Sequence, residues 1–133
     1  MNKFIGVCAL FLSLTAFGGE CDSWNLPEEQ PELQEVNERI ALYTDNMKAG
    51  AFAAAVEPLE WLLVNNPDLH KSLYINGVKI YSRLAMAEAD NGKSRAYRDR
   101  VAELYDARLS LCKGSGEVYN RKALDLYKLN RAD

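Results

Sequence analysis

The sequence contains few of the residues on which catalytic and metal-binding sites depend. His70 is the one histidine among 133 residues, which excludes any site that needs two. No Cys-x-x-Cys, His-x-x-x-His or Asp-x-Asp-x-Asp spacing occurs, so dedicated zinc and calcium loops lack their ligands. The glycine-rich segment 114–116 is too short to cradle a phosphate and lacks the lysine that follows in a P-loop. These absences predict a protein that is not an enzyme and that uses no metal or other cofactor.

The sequence also lacks alternating apolar and polar runs of strand length, and it has no low-complexity tract. Apolar residues recur instead at steps of three and four, which is the spacing of one face of a helix. This periodicity predicts an all-α protein of five helices whose short loops make neighbouring helices antiparallel. The predicted helices span about residues 31–48, 52–64, 69–89, 94–112 and 117–130.

Glycine, proline and aspartate mark the predicted helix ends. Gly50 can adopt the left-handed conformation that ends a helix, and Pro58 should bend the second helix because it cannot donate a backbone hydrogen bond. Asp68 is predicted to cap the third helix, and residues 90–94 are predicted to form a turn. The third and fourth helices are therefore expected to be joined by a long loop.

The fifth helix is expected to pack through an apolar stripe and to cap the array. Its predicted buried residues are Tyr119, Ala123, Leu126 and Tyr127. Its predicted water-facing residues are Arg121, Lys122, Asp125 and Lys128. The alternative is a truncated member of a longer family with an uncovered apolar end, because a repeat buries its apolar face only against its neighbour.

The N-terminal segment has the pattern of a secretory signal peptide. Lys3 supplies its positive charge, and residues 4–17 form an apolar stretch that is too short to span a ~30 Å hydrocarbon core. Small residues end this stretch, which predicts cleavage after Gly18 and a mature protein in the periplasm or cell envelope. The predicted organisation is a signal peptide at 1–18, a linker at 19–31 and a helical repeat domain at 32–133.

Two cysteines, Cys21 and Cys112, remain after the predicted cleavage. An even pair in an oxidising compartment permits a disulfide, but the sequence does not show whether the Cα atoms approach within the ~7 Å that a bridge requires. The sequence favours a buried Cys112 and an exposed, unpaired Cys21. Lipidation of Cys21 is a further alternative, although Glu20 stands where lipoprotein processing requires a small residue.

Charge is distributed unevenly along the chain. Residues 19–69 carry 2 basic and 11 acidic side chains, whereas residues 70–133 carry 13 basic and 8 acidic ones. The net charge of −3 argues against nucleic acid as a main ligand, because binding phosphates requires a basic face. The asymmetry either orients the chain against a partner or a second copy, or reflects ordinary solvated helix faces.

A series of small and apolar residues resembles the tetratricopeptide repeat (TPR). The matching landmarks are Gly50, Phe52, Ala55, Leu59, Leu62, Pro67, Leu73, Gly77, Tyr119 and Ala123. The match is best over residues 36–69, and segments 58–63 and 69–77 are similar to an exported subgroup of TPR proteins from Gram-negative bacteria. The resemblance implies a right-handed α-α superhelix of antiparallel helix hairpins, about two and a half repeats long.

The resemblance also implies a concave groove that binds other proteins and performs no chemistry. The groove positions that it assigns are Ile40, Thr44, Met47, Lys71, Tyr74, Val78, Tyr81, Asn120 and Tyr127. The same assignment places Asn37, Lys48, Ser82 and Lys128 near them. Ile40 and Thr44 stand where some TPR domains carry a lysine-asparagine clamp for a C-terminal carboxylate, so this clamp is not expected here. A groove of tyrosine, methionine and aliphatic residues predicts instead an amphipathic helix or an extended peptide as the ligand.

The leading hypothesis is a non-enzymatic scaffold or adaptor of the bacterial cell envelope. It would bind a protein or peptide ligand and no nucleic acid, and it would have no transmembrane helix after signal cleavage. The alternative is a structural fragment, either the N-terminal cap of a larger envelope assembly or a subunit that self-associates through its C-terminal helix.

Overall fold

The computed structural model describes residues 21–112 and 116–131, and within these residues it contains five α-helices and no strand. The helices are α1 (Glu32–Lys48), α2 (Phe52–Asn65), α3 (Ser72–Ala87), α4 (Asn91–Leu111) and α5 (Gly116–Asn130). The all-α prediction is therefore confirmed. The predicted signal peptide, its cleavage site and residues 19–20 lie outside the described residues.

The first hairpin forms where it was predicted. Gly50 has a φ of +77°, the left-handed conformation, and turns the chain between α1 and α2. α2 continues through Pro58 without interruption. Because Pro58 has no backbone N–H, the carbonyl of Ala54 loses its helical donor, and the side-chain amide of Asn46 in α1 donates to that oxygen at 3.5 Å. The neighbouring helix thus partly compensates for the proline.

The start of α3 differs from the prediction. The helix begins at Ser72, and Asp68 does not cap it, because the N-cap position is Lys71 and has no side-chain cap. The backbone N–H of Lys71 donates to the carbonyl of Cys21 at 2.8 Å. The backbone just before α3 therefore bonds to the N-terminal segment. Residues 69–71, which were predicted to be helical, precede the helix instead.

The start of α4 also differs from the prediction. Asp90 is its N-cap, and the carboxylate accepts a hydrogen bond from the backbone N–H of Lys93 at 2.8 Å. This bond satisfies one of the free donors at the helix start. Residues 91–94, predicted as a turn, are therefore the first turn of α4, and the expected long loop is a short one.

The helices pack in chain order, and α3 is central. α1 packs on α2, α2 on α3 and α3 on α4, while α5 lies against both α4 and α3. Gly77 lies where α2 and α4 approach α3: a Cβ added there would be 2.9 Å from Leu104 Cδ1 and 3.4 Å from Leu59 Cδ2. Ala55 in α2 is fully buried. Small residues therefore occupy close helix contacts, as the sequence predicted for Gly77 and Ala55.

A polar network joins the same three helices. Arg100 of α4 donates from Nε and Nη2 to the carboxylate of Glu60 in α2, at 2.9 and 2.7 Å. Tyr81 of α3 donates its hydroxyl to the same carboxylate at 2.6 Å. The hydrogen bonds to Glu60 raise the pKa of Arg100 above its ordinary value. Because a bidentate pair constrains direction as well as distance, the network orients α2, α3 and α4 relative to one another.

Cys21 and Cys112 form a disulfide, so the prediction of an exposed, unpaired Cys21 is wrong. Both residues are buried, and their Cα atoms are 5.0 Å apart although 91 residues separate them along the chain. The sequence could not show this proximity, because the packing of α3 and α4 creates it. The bond uses Sγ of Cys21, the atom to which a lipid thioether would attach, and therefore argues against lipidation.

The N-terminal segment 21–25 lies along the start of α3. The backbone N–H of Asn25 donates to the carbonyl of Leu69 at 2.9 Å, and its side-chain amide donates to the carbonyl of Asp68 at 2.8 Å. The rings of Trp24 and His70 stack with their centroids 4.4 Å apart. This part of the predicted linker is therefore held against the helical domain.

The predicted buried face of α5 is mostly wrong: Leu126 packs against the core, whereas Tyr119, Ala123 and Tyr127 are exposed. Val118 and Leu129 are the buried residues of this helix, whereas Tyr119 and Tyr127 are 59% and 58% exposed. Polar contacts with α4 select the orientation. The predicted water-facing pair of Lys122 and Asp125 makes these contacts: Lys122 donates to Asp106 and Asp125 accepts from the hydroxyl of Tyr105, both at 2.5 Å.

Substitution of Gly77 by valine should destabilise the fold because the new side chain would overlap Leu104 and Leu59 at the helix crossing. We expect the free energy of unfolding, measured by urea denaturation, to fall by about 1–3 kcal/mol. Ala96→Val, which places the same side chain on the exposed face of α4, should cost at most about 0.7 kcal/mol. Leu104→Ala should also cost less in the Gly77→Val background than alone. Equal losses for the two valine variants would contradict the crossing.

Removal of the disulfide should lower stability because it releases a loop that spans most of the domain. The chain-entropy relation for a loop of this length gives a loss of about 4–5 kcal/mol for the Cys21→Ser/Cys112→Ser variant. Addition of a reductant should destabilise the wild-type protein to the same extent and leave the double variant unchanged. A variant as stable as the oxidised wild type would show that the cystine does not constrain the unfolded chain.

Candidate binding groove

A groove opens between α3, α4 and α5, with a cavity volume of about 760 Å³. Its apolar floor consists of buried or nearly buried side chains from all three helices: Tyr74, Val78, Leu104, Val118 and Leu129. Ile75 and Met86 add exposed apolar surface at its edge. α5 is rotated about its axis relative to the orientation that its sequence predicted. This rotation creates the floor, because it brings Val118 and Leu129 into the groove lining and leaves Tyr119 and Tyr127 exposed.

Basic side chains dominate the polar part of the groove. The six cations in its lining are Lys71, Lys79, Arg83, Arg108, Arg121 and Lys128, and the three carboxylates are Asp22, Glu117 and Asp125. Because the positive charges outnumber the negative ones, the groove has an excess of positive charge. Such a surface attracts anionic ligands over a distance of about one Debye length.

The three carboxylates of the groove are already engaged. Asp22 forms an ion pair with Lys71, which lowers its pKa through the hydrogen bond and the charge of the lysine. Glu117 accepts from Arg121 one turn later at 3.1 Å, and Asp125 accepts from Tyr105.

The cations of the groove are less fully paired. Lys79, Arg83 and Lys128 form no salt bridge with any residue in 21–112 or 116–131. These three side chains are exposed and free to pair with a ligand.

The structure brings three of the nine predicted groove residues together. Lys71, Tyr74 and Val78 all line the groove. Tyr74 is nearly fully buried and donates its hydroxyl to the carbonyl of Pro67 at 2.6 Å. Its apolar ring therefore belongs to the core, and only its edge contributes to the groove.

The other six predicted residues lie elsewhere. Tyr81 is buried and its hydroxyl binds Glu60 of α2. In α1, Ile40 and Met47 pack against the core and the hydroxyl of Thr44 donates to the carbonyl of Ile40 at 2.7 Å. The remaining two, Asn120 and Tyr127, are exposed and do not line the groove.

Sequence reasoning missed Lys79, Arg83 and Arg108 as groove residues. Two signals pointed toward them. The basic excess of residues 70–133 indicated a positive surface in this half of the chain, and Lys79 and Arg83 are one helical turn apart in α3. What the sequence could not supply was the position of α5, which forms the opposite wall.

No protein-family model, curated protein or solved structure matches this chain. The TPR resemblance therefore stays a prediction from the sequence. Across the two described ranges, none of the helices combines the length and the apolar composition needed to cross a membrane. Over the same residues, no cluster of three or more histidine, cysteine, aspartate or glutamate side chains could hold a metal ion.

Tyrosine ionisation should weaken the fold at high pH. Burial raises the pKa of Tyr74 to about 12. Burial, followed by hydrogen bonds to Glu60 and Asp125 respectively, raises the pKa of Tyr81 and Tyr105 above the ordinary value. Unfolded tyrosines ionise near pH ~10, so the contribution of these phenols is complete below that pH. It is lost as the pH rises through the folded pKa values.

We therefore expect the free energy of unfolding to fall above about pH 10. Tyr74→Phe should reduce the slope by about 1.4 kcal/mol per pH unit between pH ~10.5 and ~12, and should leave the profile unchanged between pH ~7 and ~9. Urea denaturation at each pH measures both slopes. A variant whose slope matches the wild type throughout the alkaline range would show that Tyr74 ionises equally in the folded and unfolded chain.

Proposed function

We propose that this protein is an exported, non-enzymatic adaptor of the bacterial cell envelope that binds a segment of a partner protein in the α3–α5 groove. The observation that carries the proposal is the combination of an apolar floor with exposed cations at Lys79, Arg83 and Lys128, which form no salt bridge within the described part of the chain. An amphipathic segment with acidic and apolar side chains complements both features.

The helical architecture supports the TPR-like part of the proposal. In a right-handed superhelix of about two and a half hairpins, the first helices of successive repeats line the inner surface. α3 and α5 would be two such helices, and they form opposite walls of the groove. Gly50, Ala55 and Gly77 occupy the turn and the close contacts for which the repeat pattern requires small residues.

The disulfide supports export. Structural disulfides persist in oxidising compartments such as the bacterial periplasm and are rare in the cytosol. The Cys21–Cys112 bond encloses almost the whole described domain. It therefore agrees with the predicted signal peptide and with a mature protein in the periplasm or envelope.

Binding of a designed peptide tests the groove. A fluorescent amphipathic peptide of glutamate and leucine should bind the disulfide-intact protein, whereas a lysine and leucine peptide of equal length should not. Lys79→Glu/Arg83→Glu should weaken binding about tenfold or more, because two attractive rim charges become repulsive. Fluorescence anisotropy at constant ionic strength measures the dissociation constants.

Lys93→Glu/Arg95→Glu is the matched control for the peptide experiment. It makes the same change in net charge at exposed positions near the start of α4, outside the groove lining. It should retain wild-type affinity. Equal weakening by both double variants would mean that net charge alone attracts the peptide, and equal binding of both peptides would contradict the charge preference of the groove.

A further inference from the structure

The outer face of α1 carries three carboxylates with one apolar side chain between them. Glu35, Glu38, Leu42 and Asp45 follow each other at steps of three and four, so they lie along one side of the helix. All four are exposed. Glu38 and Asp45 form no salt bridge with another residue in 21–112 or 116–131. α1 therefore presents an acidic, amphipathic segment, which is the class of ligand proposed for the α3–α5 groove.

This face is directed away from the groove of its own molecule. The opposite side of α1 carries Val36 and Tyr43, which are buried, and α1 packs on α2. The groove lies between α3, α4 and α5, and its lining includes no residue of α1. Because α1 is fixed against α2, its outer face is available only to another molecule.

The charge distribution makes a second copy of this chain the complementary partner. Residues 19–69 carry 2 basic and 11 acidic side chains, a balance of −9, whereas residues 70–133 carry 13 basic and 8 acidic ones, a balance of +5. The folded chain keeps the two signs apart. The acidic half supplies the outer face of α1, and the basic half supplies all six cations of the groove. Opposite surface potentials steer two copies into contact through these unlike surfaces.

We propose that the outer face of α1 of one copy occupies the α3–α5 groove of the next copy. This inference rests on the proposed peptide-binding function of the groove, and it identifies the partner. Leu42, which is 51% exposed, would lie on the apolar floor. The carboxylates on either side of it would meet Lys79 and Arg83 on one wall and Lys128 on the other.

The two surfaces have compatible lengths. The segment from Glu35 to Asp45 is about 15 Å long at the usual rise per residue, and α5, which forms one wall of the groove, is about 22 Å long. Lys79 and Arg83 are one helical turn apart in α3, and Glu35 and Glu38 are separated by nearly the same distance in α1. One helix face therefore fits within the length of the groove.

The proposed contact joins two different surfaces, so it is heterologous. Each copy offers one α1 face and one groove, and the contact therefore repeats until it closes a ring or extends an open chain. Because one helix face is small compared with a standard interface of about 1,600 Å², we expect the assembly to dissociate on dilution.

Sedimentation velocity of the disulfide-intact protein over a wide concentration range tests the contact. The wild-type protein should form reversible oligomers. Leu42→Lys and Lys79→Glu/Arg83→Glu should each weaken assembly at least tenfold, because each places like charges at the contact. Val64→Lys is the matched control for Leu42→Lys: it makes the same kind of change at a 75% exposed position of α2, outside both surfaces. It should assemble like the wild type.

Mixing the two defective variants tests the head-to-tail arrangement. Leu42→Lys retains an intact groove, and Lys79→Glu/Arg83→Glu retains an intact α1 face, so a pair of unlike variants can form one contact. The equimolar mixture should give 1:1 dimers without larger species at a concentration where each variant alone is monomeric. A mixture that stays monomeric would overturn the arrangement. Circular dichroism checks that the variants are folded, and Glu38→Lys replaces Leu42→Lys if the latter does not fold.

The glutamate and leucine peptide separates this inference from the proposed function. At saturation it should dissociate the wild-type oligomers, because it competes with α1 for the groove. A wild-type protein that binds the peptide but stays monomeric at the highest concentration would overturn the second copy as partner and leave the groove function standing. Oligomers that persist in saturating peptide would also overturn it. Absence of peptide binding would contradict the groove function itself.

Discussion

The contact of Gly77 with Leu59 and Leu104 is the constraint on which the arrangement of the helices depends. A glycine in the middle of α3 removes the side chain that would separate this helix from α2 and α4. Glycine carries an entropic cost inside a helix of about 1 kcal/mol relative to alanine, and close packing on two sides offsets it. The Glu60–Arg100–Tyr81 network next to this crossing then orients the three helices.

The groove is a consequence of this central packing and of the way each chain end is attached to it. Once α4 lies on α3, hydrogen bonds from Tyr105 and to Asp106 position α5 and form the second wall. The Cys21–Cys112 disulfide brings the N-terminal segment to the end of α4, beside the groove. Asp22 can then pair with Lys71. These contacts between distant parts of the sequence therefore combine to produce one basic surface with an apolar floor.

The proposed groove depends on how α5 is turned, because one side of this helix supplies part of the groove lining. Apolar residues occur on two sides of α5, so its periodicity does not by itself choose which side is buried. The carboxylate of Asp106 and the buried phenol of Tyr105 make one choice favourable, because Lys122 and Asp125 then have hydrogen-bond partners. Tyr119 and Tyr127 consequently stay on the surface.

The sequence by itself determined the all-α class, the number of helices, the Gly50 turn and the small residues at close contacts. These features follow from local conformational preference and from periodicity, which act within a few residues. Tertiary structure alone decided the start of α3, the disulfide, the buried face of α5 and most of the groove lining. Contacts such as those of Lys71 with Cys21 and of Tyr105 with Asp125 form only after distant segments have packed. Their energies depend on residues far apart in the sequence, so a local sequence pattern cannot predict them.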